Sequence, residues 1–159
     1  MSAAASVSAR LAERGIELPP VVPPVASYIP ANVHGDLVYT SGQLPMVSGA
    51  LPATGKVGDG HGLVPASDAQ AYARQSALNA IAAAAAAVGG VDRLTRVIKV
   101  VGFVASVPEF TGQPGVINGA SELLGEVFGD AGRHARSAVG VPVLPLDSPV
   151  EVEVIFAWE

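Results

Sequence analysis

The chain contains no cysteine, which excludes disulfides, thiolate chemistry and every cysteine-built zinc or iron–sulfur site. Charge and aromatics are scarce as well: of 159 residues, 14% are Asp, Glu, Lys or Arg and 5% are Phe, Trp or Tyr. With half of the residues apolar, disorder driven by self-repulsion is excluded and the fold must stand on packing. Basic residues are outnumbered, 9 Lys plus Arg against 14 Asp plus Glu, for a formal net charge of −5. That balance works against nonspecific attraction to polyanions, so a nucleic-acid partner is not expected. The longest uncharged apolar run, residues 80–88, is mostly alanine and ends at Gly89-Gly90, whereas a membrane span needs about 20 residues. The opening Met-Ser-Ala-Ala-Ala-Ser lacks the basic and leucine-rich regions of a secretory leader, and the chain is read as cytoplasmic with no membrane partner. His34, His61 and His134 stand without a second ligand at helical or turn spacing, so each is read as a surface or loop residue and no metal site is expected.

What is present fits one domain of ordinary size. Val7 and Leu11 at helical spacing, followed by Gly15, predict a short N-terminal helix over 6–14 that reads as an appendage. Five prolines between Ile16 and Pro30 predict an extended strap. Leu37–Ser41 reads as a strand stopping at Gly42, and the glycine-rich 46–63 as a long loop. Ser67-Asp68 can cap an alanine-rich helix running to Val88 with Gly89 as its stop, the small side chains permitting close packing on a sheet. Thr95–Ala105 is apolar on both faces, as a central strand covered on each side would be. Val116–Phe128 reads as a second helix, and 136–143 and 150–158 as two final strands around a turn at 145–149.

Of the short motifs, Gly55-Lys56-Val57-Gly58-Asp59-Gly60-His61-Gly62 has the glycines of a phosphate loop, but its lysine is followed by valine and more loop, so it reads as a flexible turn. Ser41-Gly42 lacks the upstream glycine of a nucleophile elbow, Tyr39 holding that position. Side-chain parity is more informative. Val150, Val152, Val154, Phe156 and Trp158 form one apolar face, with Glu151 and Glu153 on the other. A tight turn between Leu146 and Asp147 would make the last two strands an antiparallel hairpin pairing Arg136 with Ala157 and Glu151 with Pro142. Arg136, Glu151 and Glu153 would then share one non-core face, which spacing alone reads as a solvated, salt-bridged surface.

Tyr28 with Gly35 seven residues on, the block Val38-Tyr39-Thr40-Ser41-Gly42-Gln43-Leu44-Pro45, then Ala135-Arg136-Ser137-Ala138-Val139 with Leu144-Pro145 and Val150-Glu151-Val152-Glu153 resemble the RidA/YjgF (Rid) family in its longer-chain branch. The resemblance covers residues 25–159, with 1–24 left as an N-terminal helix and proline-rich strap that has no counterpart in the short members. It implies an α+β, chorismate-mutase-like fold, a mixed β-sheet backed by two helices, assembled as a homotrimer with ligand clefts between subunits.

The activity so implied is hydrolysis of reactive 2-enamine or 2-imine carboxylates to 2-keto acids and ammonia, with no metal or organic cofactor. Arg136 would hold the substrate carboxylate through its planar fork, and Glu151 would orient or deprotonate the water. Tyr28, Asn118, Ser41, Gly42 and Ala138 fall on substrate-binding positions of the family. Ala138 replaces a cysteine common there, His134-Ala135 stands where Pro-Ala is usual, and residues 109–116 are longer than the family connection. The alternatives are a non-catalytic trimer binding small carboxylates or a protein partner, and, further off, a ribonuclease, for which the chain offers only Arg133, His134 and Arg136 as a basic cluster.

Overall fold

The computed structural model describes residues 5–24 and 26–159. A five-stranded mixed sheet is built from β1 (Ala31–His34), β2 (Leu37–Thr40), β3 (Leu94–Ala105), β4 (Ala135–Val141) and β5 (Val150–Trp158), in the order β1-β2-β5-β3-β4. Only the β3–β4 pair is parallel. The helices are α1 (Val7–Glu13), α2 (Ala66–Val88) and α3 (Gln113–Phe128). Among the described residues no helix is long and apolar enough to cross a membrane.

The sheet's covered face is made by alternate residues. Val38, Val100, Val104, Val150, Val152 and Phe156 are fully buried on it, and α2 and α3 lie across them. The alanines of α2 serve this packing, with Ala69, Ala73, Ala77, Ala80 and Ala84 fully buried. A Cβ on Gly119 of α3 would overlap the backbone carbonyl of Gln70 in α2, so the two helices approach as closely as small residues allow. Arg74 of α2 clamps Glu126 of α3 with two bonds of 3.1 and 2.7 Å, and this guanidinium holds the Glu126 carboxyl below its usual range.

Most expected elements stand near their expected bounds. The alanine-rich helix starts at Ala66 behind Pro65 without a side-chain cap and stops at Gly89, whose φ is +86°. The last helix begins at Gln113, three residues before Val116, with Pro114 in its first turn. β1 has no sequence counterpart above. Gly35, with φ +60°, sits first in the two-residue turn that pairs β1 with β2, where that sign of φ is needed.

Three expectations fail. The N-terminal helix is no appendage: Leu11 is buried in the core, and Ser8 donates to both oxygens of Asp92 at 2.8 and 2.6 Å. The Gly55–Gly62 segment is no flexible turn, because Val57 is fully buried and its backbone bonds Ala105 and Val107. Most consequentially, β4 and β5 are not a hairpin. The connection from β3 through α3 returns β4 parallel to β3 on one side, and β5 runs antiparallel on the other. β3 is therefore interior, flanked by β4 and β5, but β5 is the central strand, and the cover expected on each side of β3 is found on one face only. Its other face presents Val101, Phe103 and Lys99, partly exposed.

Candidate functional site

The residues singled out from the sequence gather in two places. The first is on the helix-covered side of β4, an edge strand. Arg136 is aligned with Val100, Ala138 with Gly102 and Gly140 with Val104, so Arg136 points to the same face as the core and runs along α3. Its Nη1 donates to Asn118 Oδ1 at 2.8 Å and to Ser121 Oγ at 3.3 Å, and its Nη2 to the Pro114 carbonyl at 3.3 Å. Both Nη1 hydrogens are thereby taken, leaving Nε–H and one Nη2–H for a planar oxyacid. All three acceptors are neutral. The ion pairs among the described residues are Arg14–Glu13, Arg74–Glu126 and Arg133–Asp130, so the positive charge of Arg136 has no carboxylate of its own. Ala138 lies next along the strand, packed against the core.

Ser121, which sequence reasoning passed over, and His134, which it read as an isolated surface or loop residue, belong to this group. His134 Nε2 lies 2.9 Å from Ser121 Oγ, and its Nδ1 2.6 Å from the Gly132 carbonyl. The signal available was that His134 stands two residues before Arg136, on the parity that brings both to α3.

The second place is on the opposite face. Glu151 is aligned with Phe103, and Glu153 with Val101, on the side the helices leave open. Burial first, and Glu153 second, push the Glu151 carboxyl above its ordinary value. Gly42 lies against it: a Cβ there would overlap Glu151 Oε1, so only glycine leaves room for the carboxylate. Gln43 continues β2 along β5 by exchanging backbone bonds of 2.8 and 3.0 Å with Val152. Ser41 donates its hydroxyl to the Ile29 carbonyl at 2.6 Å and its N–H to Pro30 at 2.9 Å, drawing 28–30 toward Gly42. Tyr28 and Gly42 line one small recess there.

The common face expected for Arg136, Glu151 and Glu153 is thus corrected. With β3 interposed, residues counted across an imagined hairpin change sides: Arg136 faces α3 and the two glutamates face away. Among the described residues no group of three or more His, Asp or Glu could hold a metal ion.

A five-stranded mixed sheet backed by helices on one face is the chorismate-mutase-like class of α+β fold. The chain belongs to the YjgF family: the family model described as "YjgF/chorismate_mutase-like, putative endoribonuclease" matches residues 8–158. A relative from Trypanosoma cruzi, "Protein TCP17", is 42% identical over 160 residues, 98% of this chain and 97% of its own. The solved structure of Atu1372 from Agrobacterium tumefaciens is similar at a TM-score of 0.85 and 44% identity, over 97% of this chain and 94% of that one. The structure of E. coli TdcF with bound serine is similar at a TM-score of 0.63 and 26% identity, over 89% and 94% of the two chains.

Proposed function

We propose that the chain is an imine/enamine deaminase working in the clefts of a homotrimer. Each cleft joins the Arg136 group of one copy to the Glu151 group of the next. Two copies are required because the groups occupy opposite faces of one sheet, and the partly apolar open face, with Val101, Phe103 and Ile155, needs a cover that the chain's own helices do not supply.

The chemistry follows from the donors. The substrate carboxylate lies on the Nε and Nη2 hydrogens of Arg136, which fixes the neighbouring C=N carbon. Glu151, with its proton affinity raised by burial, takes a proton from water as the oxygen adds to that carbon. The same proton then goes to the amino nitrogen of the tetrahedral adduct. As the C–N bond breaks, the remaining hydroxyl proton of the adduct passes to the regenerated Glu151 carboxylate, C=O forms, and ammonia leaves with a 2-keto acid and carries that proton off as ammonium. Tyr28, Asn118, Ser41, Gly42 and Ala138 line or hold the cleft in this reading.

One observation carries it: Arg136 is anchored by three neutral acceptors and paired with no acid, the state of a cation kept for a ligand anion. Release of ammonia and keto acid from freshly generated 2-iminopropanoate or 2-iminobutanoate tests it, and no release above the uncatalysed rate rejects it. TdcF with bound serine, a structural relative holding a small amino acid, favours a second reading in which the cleft binds small carboxylates without turnover. The ribonuclease reading has less support. Of the basic cluster, Arg133 is near Asp130 at 3.8 Å, while His134 and Arg136 are bound to α3 and its following turn, leaving no basic stripe.

A further inference from the structure

We propose that His134 is a positioning residue for the anion anchor: acting through Ser121, it holds the Nη1 side of Arg136 in place and so presents the other edge of the guanidinium to the ligand. The proposal rests on the reading of Arg136 as a carboxylate anchor.

Counting hydrogens fixes the direction of the chain of bonds. The Gly132 carbonyl can only accept, so His134 Nδ1, 2.6 Å away, carries the hydrogen. In the neutral ring Nε2 is then a lone pair, and the 2.9 Å contact has Ser121 as donor. The single hydroxyl hydrogen of Ser121 is thereby committed to His134, and only lone pairs of Oγ meet the Nη1 hydrogen of Arg136 at 3.3 Å. Without His134, Ser121 is free to leave this rotamer and back-bond the carbonyl four residues back, which carries Oγ away from Nη1 and leaves Asn118 as its one fixed acceptor. The far end of the chain is rigid. Gly132 is buried, and a Cβ there would overlap the Leu124 carbonyl, so the backbone that receives Nδ1–H is wedged against α3.

Two substitutions separate this role from pinning the turn. Asparagine at 134 can place an N–H near the Gly132 carbonyl but stops short of Ser121, whereas glutamine reaches Ser121 with an acceptor and abandons Gly132. The readouts are rotation of the Arg136 guanidinium about Nε–Cζ, followed by NMR on the 15N-labelled, ligand-free protein at about pH 8, and titration with pyruvate. In the parent, the 15N shifts of His134 should show Nδ1 protonated and Nε2 bare. His134→Asn should speed the rotation several-fold and weaken pyruvate by about tenfold, the scale of a bond to a charged group. His134→Gln should stay near the parent in both. Ser121→Ala, which leaves His134 on Gly132, should match His134→Asn and serves if that variant does not fold. The reverse order of Asn and Gln, an unchanged rotation in Ser121→Ala, or a protonated Nε2 in the parent overturns the proposal. Pyruvate binding to no form would reject the carboxylate anchor instead, while the ligand-free rotation rates would still decide the role of His134.

Discussion

Arg136 and Glu151 stand on opposite faces of one sheet, separated by β3, whose Val100 aligns with the arginine and whose Phe103 aligns with the glutamate. In the proposed trimer a site using both residues is shared between copies, so two damaged chains should repair each other. Arg136→Gln and Glu151→Gln should each be inactive alone as homotrimers. Co-expressed in equal amounts and mixing freely, they should recover about a quarter of the parent rate, because one interface in four joins the two intact halves in a cyclic trimer. Deaminase assays on the co-purified mixture check this, alongside light scattering for three times 16.0 kDa. Absence of any recovery, or a monomer at micromolar concentration, would defeat the shared cleft.

Arg136→Lys keeps the charge and loses the planar fork. A lysine ammonium cannot bond Asn118 and Ser121 through one nitrogen while offering two parallel hydrogens through others. Affinity for 2-keto acids should fall by about tenfold or more with the trimer intact. Calorimetric titration with pyruvate measures it, and equal binding by lysine and arginine would remove the anchor role.

The elements were more legible than their neighbours in space. The alanine helix, the last helix and β5 could be read because each carries its own period and stop, Gly89 and Gly129 among them. β1 could not, being four residues with little burial. Pairing was misread because the turn at 145–149 looked like a hairpin. A helix between two strands is itself a signal that they run parallel and adjacent, and applied to β3, α3 and β4 it puts Arg136 on the helix side. Ser121, and the link from His134 through it to Arg136, escaped notice because a contact across 13 residues has no local period.

Gly42 tests the placement of the glutamate without altering it. A methyl group there meets the end of a flexible side chain, not backbone, so Gly42→Ala should fold while turning the Glu151 carboxyl away from its present position. An ångström of displacement at a reacting group costs on the order of 10²-fold. Turnover should drop by about that factor with only a small change in melting temperature. Full activity in the alanine variant would show that the carboxylate is not needed where it stands.

Glu151→Gln separates the base from the fold, and pH gives the sign. Burial raises the Glu151 carboxyl above its ordinary value of 4.5, so the folded chain favours the protonated form. Its contribution to stability is present below the unfolded value and is lost as pH rises through the folded value. At pH 7 to 8 the parent therefore carries a half-buried charge that glutamine does not, and the variant should melt higher. Toward pH 4 that advantage should vanish. Activity should move the other way: glutamine accepts no proton at neutral pH, so turnover should fall by about 10²-fold or more while pyruvate affinity stays near the parent's. The ratio of parent to variant turnover, in which substrate protonation cancels, should decline on the acid side with a midpoint above the ordinary carboxylate range. A structural carboxylate would instead lose stability at neutral pH when replaced, and an unchanged turnover in Glu151→Gln would remove it from the chemistry.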